Sequence, residues 1–128
     1  MEVNEVKETS AELVNVLTDV KNTMNLYTAE ATNWLLEIGH FVEFSEGKKV
    51  SFGRDDFKIM TFHADGFKPE GELINALLKK HPELVIPYYN AEMVYRHIDL
   101  LIAPIHLKAR HEEYVIKLNK AANLLDVN

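Results

Sequence analysis

Apolar residues in the first third of the chain recur at alternating intervals of three and four positions. Eleven of the twelve positions in this series are apolar, and the series runs Val3, Val6, Ser10, Leu13, Leu17, Val20, Met24, Tyr27, Ala31, Trp34, Ile38 and Phe41. An average spacing of 3.5 residues keeps these side chains on one side of a helix. The pattern predicts one long helix whose apolar stripe, here called the seam, has to be covered.

Local signals place the ends of this helix. Thr9 followed by Glu12 has the spacing of a capping box, which marks a helix start. The predicted helix runs from about residue 10 to residue 44. Gly39 and residues 22–25 lower the predicted stability of this helix, because glycine, asparagine and threonine are poor helix formers. Such a helix is on the order of 50 Å long, whereas a compact chain of this length has a radius of gyration of about 14 Å. A long helix of the same chain, another subunit or a binding target has to cover the seam.

The period changes after the first helix. Alternation with period two over residues 41–63 predicts an antiparallel hairpin or three-stranded meander. Residues 70–80 are expected to form a short amphipathic helix, with Pro69 at its first turn and His81–Pro82 ending it. Residues 85–89 are expected to be extended. Asn90 is then predicted to cap a second long helix over residues 91–125, kinked or broken at Pro104.

These elements predict a mainly α (α+β) fold in a single domain, residues 1–128. Its parts are a long helix over 1–44, an insert of β-hairpin and short helix over 45–89, and C-terminal helices over 90–128. The last segment repeats the three-four spacing at Leu107, His111, Tyr114, Leu118, Ala121 and Leu125. The two long helices are therefore expected to pair antiparallel within one chain or to swap between two chains.

Composition narrows the class of protein. The chain has 128 residues, 47% of them hydrophobic, and no cysteine, which excludes disulfides, thiol catalysis and cysteine-ligated zinc. Its net charge is −6, and residues 1–46 contribute −7 (nine acids, two lysines), so the first helix is acidic. An acidic arm disfavours non-specific nucleic-acid binding.

The apolar window 100–107 is too short for a membrane span, and Glu2, Glu5 and Glu8 do not suit a signal peptide, so a cytoplasmic protein is expected.

Candidate chemistry is sparse. His106 and His111 are five residues apart, which separates them around a helix and makes no metal pair. We expect no metal and no cofactor, with weak candidates at His63, Asp65, His97 and His106. No serine or threonine lies in a nucleophile elbow, and no glycine-rich phosphate loop is present. The chain is more simply explained without enzymatic activity.

Basic residues of the predicted hairpin offer a third possibility. Lys48, Lys49, Arg54 and Lys58 are interleaved with Phe52 and Phe57, as in a nucleic-acid-binding ribbon. Four acids dilute this charge, namely Glu43, Glu46, Asp55 and Asp56. Nucleic-acid binding is therefore a minor alternative.

The leading prediction is a small protein–protein interaction module, acting as adaptor, regulator or inhibitor through helical association. Its expected partner is a second copy or another protein. The seam supplies the predicted interface residues, Leu13, Leu17, Val20, Met24, Tyr27, Trp34 and Ile38. A histidine-dependent metal protein or enzyme, and a nucleic-acid-binding protein, are the alternatives left open.

Overall fold

Four α-helices and an antiparallel sheet make up the described part of the chain. The structure is a computed structural model that describes residues 2–46, 48–55, 57–64, 67, 69 and 71–127, with the backbone alone for 2–10 and 125–127. The elements are α1 (Glu2–Glu37), β1 (His40–Phe44), β2 (Lys49–Arg54), β3 (Phe57–His63), α2 (Glu72–Lys80), α3 (Val85–Ile98) and α4 (Ile105–Val127). The predicted mainly α (α+β) fold, with long helices at both ends, is confirmed.

The long first helix is confirmed, with different ends. It begins at Glu2, so Thr9 lies inside the helix and is not its cap. Residues 22–25 do not break it, because the Thr23 hydroxyl donates to the Asp19 carbonyl at 2.8 Å and is satisfied within the helix. The helix ends at Glu37 rather than at residue 44, and Gly39 at φ +85° turns the chain into β1. Phe41, the last position of the predicted seam, is therefore a strand residue.

The three strands form the expected meander, in the order β1-β2-β3 with antiparallel neighbours. Val42 pairs with Phe52, and Phe52 pairs with Met60. The buried side chains Val50 and Phe52 share the inner face of the sheet, since strand residues two apart point the same way. Phe52 stacks on His97 of α3, with the ring centroids 4.0 Å apart, so this face packs on α3.

Gly53 lies opposite Phe41 across the first two strands. A Cβ at this position would meet the Phe41 ring, with Cζ 1.9 Å away. We expect Gly53→Ala to displace the ring and to lower the free energy of unfolding by about 1–3 kcal/mol, as overpacking does. Urea denaturation measures this, and in a Phe41→Ala background the same substitution should cost much less. Equal costs in both backgrounds would show that the ring is not the obstacle.

The second half of the chain departs from the predicted boundaries. Helix α2 begins at Glu72 after Gly71, so Pro69 precedes it. His81–Pro82 ends it as expected, through a 3₁₀ turn at Pro82–Leu84. Residues 85–89 are helical rather than extended, because α3 begins at Val85, and Asn90 is inside this helix instead of capping one.

Pro104 separates α3 from α4. The two predicted outcomes were a kink and a break, and the structure has a break, since residues 99–104 are not helical. Pro104 directly precedes α4, where its missing N–H costs no helical hydrogen bond.

Helices α1 and α4 pack antiparallel within the chain. Arg110 Nε of α4 donates to Glu30 Oε1 of α1 at 2.7 Å, and Lys117 Nζ donates to Asp19 Oδ1 at 3.1 Å. Between these ion pairs the Tyr27 and Tyr114 rings meet edge to face, with centroids 5.4 Å apart. Helix α3 packs on α1 beside α4, and α2 packs on α4. Among the described residues, no helix has both the length and the apolar character that a membrane span requires.

Candidate functional site

The central seam residues lie inside the folded chain. Leu17, Val20, Met24 and Tyr27 are buried, together with Ala31 and Leu35, in the hydrophobic cluster shared with α3 and α4. Leu13 and Trp34 are half-buried at its margin, and Ile38 is exposed just beyond the end of α1. The chain's own helices therefore cover the four buried residues that were predicted as intermolecular contacts. They act as core residues, and an interface through them would require the helices to separate.

The apolar surface that stays uncovered lies at one end of the helices. We define the end surface as five residues with large exposed fractions: Leu36 (57%), Ile38 (40%), Leu100 (71%), Ile102 (100%) and Ile105 (84%). Leu36 is in the last turn of α1, and Ile38 is in the turn that follows it. Leu100 and Ile102 are in the connection between α3 and α4, and Ile105 is the first residue of α4. Ile102 is completely exposed, so within the described part of the chain no element packs over it.

Antiparallel pairing brings these two segments together. Arg110 contacts Glu30. Because the helices run antiparallel, residues before Arg110 in α4 lie at the level of residues after Glu30 in α1. Ile105 precedes Arg110 by five residues and therefore lies at the level of residues 35–36 of α1 along the helix axis. Pro104 ends the helix break at this level, and Leu100 and Ile102 before it are exposed.

The three-four periodicity marks only Ile38 of the end surface, although the sequence holds a second signal for it. Residues 100–107 are the most apolar window of the chain, and Pro104 interrupts it. An apolar window that a proline prevents from forming a continuous helix has to be buried by other means or left exposed. Here Leu107 and Leu101 are buried or half-buried, while Leu100, Ile102 and Ile105 are exposed.

A polar cluster lies between α3 and α4, beside a cavity of about 360 Å³ that also reaches Arg96. Tyr114 donates to Glu92 Oε2 at 2.5 Å, and His111 Nε2 is 3.1 Å from the same oxygen. The His111 ring stacks on Tyr95 with a centroid separation of 3.5 Å. The Glu92 carboxylate thus contacts two side chains of α4, Tyr114 and His111. The His111 ring is held in turn by its stacking on Tyr95 of α3. Because both contacts of the Glu92 carboxylate come from α4, the cluster ties α3 to α4.

The pKa values of this cluster follow from its contacts. Burial raises the pKa of Glu92, but the hydrogen bonds from His111 and Tyr114 and the charges of His111 and Arg96 outweigh this, and the pKa lies below its ordinary value. Burial, and then the nearby Glu92 carboxylate, raise the pKa of Tyr114. Glu92 is therefore an anion and Tyr114 a phenol donor near neutral pH.

The basic residues considered for nucleic acid do not converge. Lys49 begins β2 and pairs with His63, whereas Arg54 ends β2 and pairs with His40 and Phe57. Lys58 forms an ion pair with Glu43 at 3.5 Å. Lys48 is exposed in the turn before β2. The four cations are spread over the two ends of the sheet, and one of them is paired with an acid.

The histidine candidates are also dispersed. His63 ends β3, His106 is exposed in the first turn of α4, and His97 is buried in α3. Asp65 lies outside the described residues. Across the described part of the chain, no group of three or more histidine and acidic side chains is arranged to hold a metal ion. His97 instead lies near His40, a pair that the sequence spacing did not suggest.

Comparison of the chain with protein-family models, with curated proteins and with solved structures finds no match.

Proposed function

We propose that this protein works by association with another protein chain through the end surface, and that a second copy of itself is the partner. The observation that supports the proposal is the exposure of five large aliphatic residues at one end of the helices, with Ile102 and Ile105 almost entirely in solvent. Exposed apolar patches of this kind are costly to leave in water and typically mark interaction sites. Association without chemistry is how adaptors, regulators and inhibitors act, and we propose such a role.

The most exposed residues of the end surface would form the centre of a dimer interface. Ile102 is 100% exposed, Ile105 84% and Leu100 71%. Standard-size protein interfaces bury about 800 Å² per partner, so the exposed neighbours of these residues would be covered as well.

The chemistry of the surface favours a second copy over a charged partner. All five residues are leucine or isoleucine, so the centre offers no charge to recognise an opposite charge. The exposed residues within three positions of it along the chain include both signs, with Glu37 and Asp99 against Lys108. In a two-fold dimer a surface meets itself, and acids and bases at its rim face each other. An apolar centre with a mixed rim is complementary to its own copy.

Light scattering over a range of concentrations tests the proposal. We expect the wild-type chain of 14.7 kDa to give about twice that mass, and Ile102→Asp to give the mass of one chain. The substitution places a charge in the interface centre, where it has to be desolvated, and an effect of more than tenfold on the dissociation constant is expected. Ile116→Asp is the matched control, because Ile116 is exposed on α4 away from the end surface, and it should remain dimeric.

Two results would contradict the proposal. A wild-type mass of one chain at all concentrations up to the millimolar range would rule out self-association. A dimer that persists in Ile102→Asp but dissociates in Ile116→Asp would place the interface on the outer face of α4 instead.

A further inference from the structure

Two imidazole rings lie together where the sheet packs on the helices. His97 of α3 and His40, the first residue of β1, have ring centroids 5.7 Å apart at an angle of 48°. His97 is 5% exposed, and one face of its ring is covered by Phe52. His40 is half-buried beside it. Two histidine rings are thus close neighbours, and one of them is buried against an aromatic ring.

Three nitrogen atoms of this pair are buried without a hydrogen-bond partner: His40 Nδ1, His97 Nδ1 and His97 Nε2. Buried polar atoms are nearly always satisfied, because leaving one unpaired costs about 1–3 kcal/mol. Both ring nitrogens of His97 belong to this set, so the one that has no proton keeps a free lone pair, which is what a metal ion binds.

The separation of the rings fits one shared ion. Histidine nitrogens bind metals at about 2.0–2.1 Å, so two rings on one ion have centroids at most about 6.4 Å apart. The observed 5.7 Å lies within this limit, so the two rings are close enough to share one ion.

We propose that His40 and His97 form a two-coordinate site for a soft monovalent metal ion, Cu(I) or its analogue Ag(I). Imidazole is a good ligand for copper, and d¹⁰ monovalent ions accept two ligands in a near-linear or bent arrangement. No acidic side chain joins the pair within the described residues to form a larger ligand group. The cost of burying an ion rises with the square of its charge, so a divalent ion would cost about four times as much as a monovalent one. The site therefore selects against Zn²⁺.

The test titrates the metal-free protein with Ag(I), and with Cu(I) under anaerobic reducing conditions against a chromophoric Cu(I) chelator. We expect one equivalent to bind, with shifts of the imidazole ¹⁵N resonances of His40 and His97. His97→Phe keeps a ring against Phe52 but has no nitrogen, and His40→Gln removes the other imidazole. Each variant should lower the affinity at least tenfold, while His106→Gln, which removes an exposed histidine, should leave it unchanged.

Circular dichroism of each variant without metal shows whether it is folded, and His97→Phe and His40→Gln provide independent substitutions on two elements. Unchanged affinity in both folded variants would overturn the proposal. So would the absence of ¹⁵N shifts on either histidine at one equivalent of Ag(I). Zn²⁺ binding at the same two nitrogens with equal affinity would overturn the assignment to a monovalent ion.

Discussion

Tyr27→Asp is expected to unfold the chain. Tyr27 is completely buried and contacts the rings of His111 and Tyr114 from α1. The substitution removes these contacts, leaves a cavity and buries a carboxylate, and truncating a buried aromatic residue alone costs about 3–5 kcal/mol. Because whole domains are stable by about 5–15 kcal/mol, we expect a loss of helical circular dichroism at 25 °C or a urea midpoint close to zero.

Val14→Asp is the matched control for this prediction. Val14 lies on the same helix and is exposed, so its substitution should change the free energy of unfolding by no more than about 0.5 kcal/mol. Comparing Tyr27→Asp with Val14→Asp shows whether the seam is a core face of the folded chain or a contact surface for another chain. If Tyr27→Asp stayed fully helical and changed only the mass of the particle, the middle of the seam would bind another chain instead of α3 and α4.

Glu92→Ala is expected to have the next largest effect. Glu92 Oε2 accepts from Tyr114, and His111 Nε2 lies within hydrogen-bond distance of it, so removing the carboxylate leaves two groups of α4 without this partner. Removing one member of a buried polar network costs about 2–4 kcal/mol, measured here by urea denaturation at pH 7. Glu112→Ala, an exposed acid on α4, should cost less than about 0.5 kcal/mol. Equal costs for the two variants would show that the cluster does not stabilise the fold.

The same carboxylate makes stability depend on pH. The pKa of Glu92 is lower in the folded chain than its ordinary value of 4.5, because the hydrogen bonds from His111 and Tyr114 outweigh the effect of burial. The unfolded chain therefore binds more protons, and the contribution of Glu92 is complete above pH 4.5 and is lost as the pH falls through the folded value. Between pH 6 and pH 3 the wild type should lose more stability than Glu92→Gln. Parallel pH profiles of the two proteins would contradict this.

Regular periodicity made much of the fold predictable. The seam of α1 and the spacing from Leu107 to Ala121 in α4 each mark one helical face, and the middle of the seam and all of the α4 series except His111 are buried in the structure. The two faces pack against each other antiparallel, which is one of the arrangements left open by the sequence. Spacing alone cannot choose between a partner in the same chain and one in another, because the apolar stripe is identical in both cases.

The predicted boundaries of helices and strands were wrong where the sequence fits both a helix and an extended segment. Residues 41–44 match both a helical and a strand period, and the left-handed conformation of Gly39 decides for the strand. Residues 85–89 are β-branched, aromatic or proline, which suggested an extended segment. In the structure Pro87 is in the first turn of α3, where the backbone N–H has no helical partner to lose, so the proline does not oppose the helix.

The end surface and the histidine pair depend on contacts between distant parts of the chain. The start of α4 lies at the level of the end of α1 because the two helices pair antiparallel, and His97 comes beside His40 because the sheet packs on α3. Neither juxtaposition has a short-range sequence pattern. Both could be approached from sequence only through the apolar window broken at Pro104 and through the number of histidines.

Isoleucine methyl NMR spectra recorded over a dilution series test most directly whether the end surface is the interface. The eight isoleucines include Ile38, Ile102 and Ile105 in the end surface and Ile59 and Ile116 exposed elsewhere. We expect concentration-dependent shifts at the first three and constant positions for Ile59 and Ile116. Constant positions for Ile102 and Ile105, or shifts confined to Ile59 and Ile116, would show that the end surface does not mediate association.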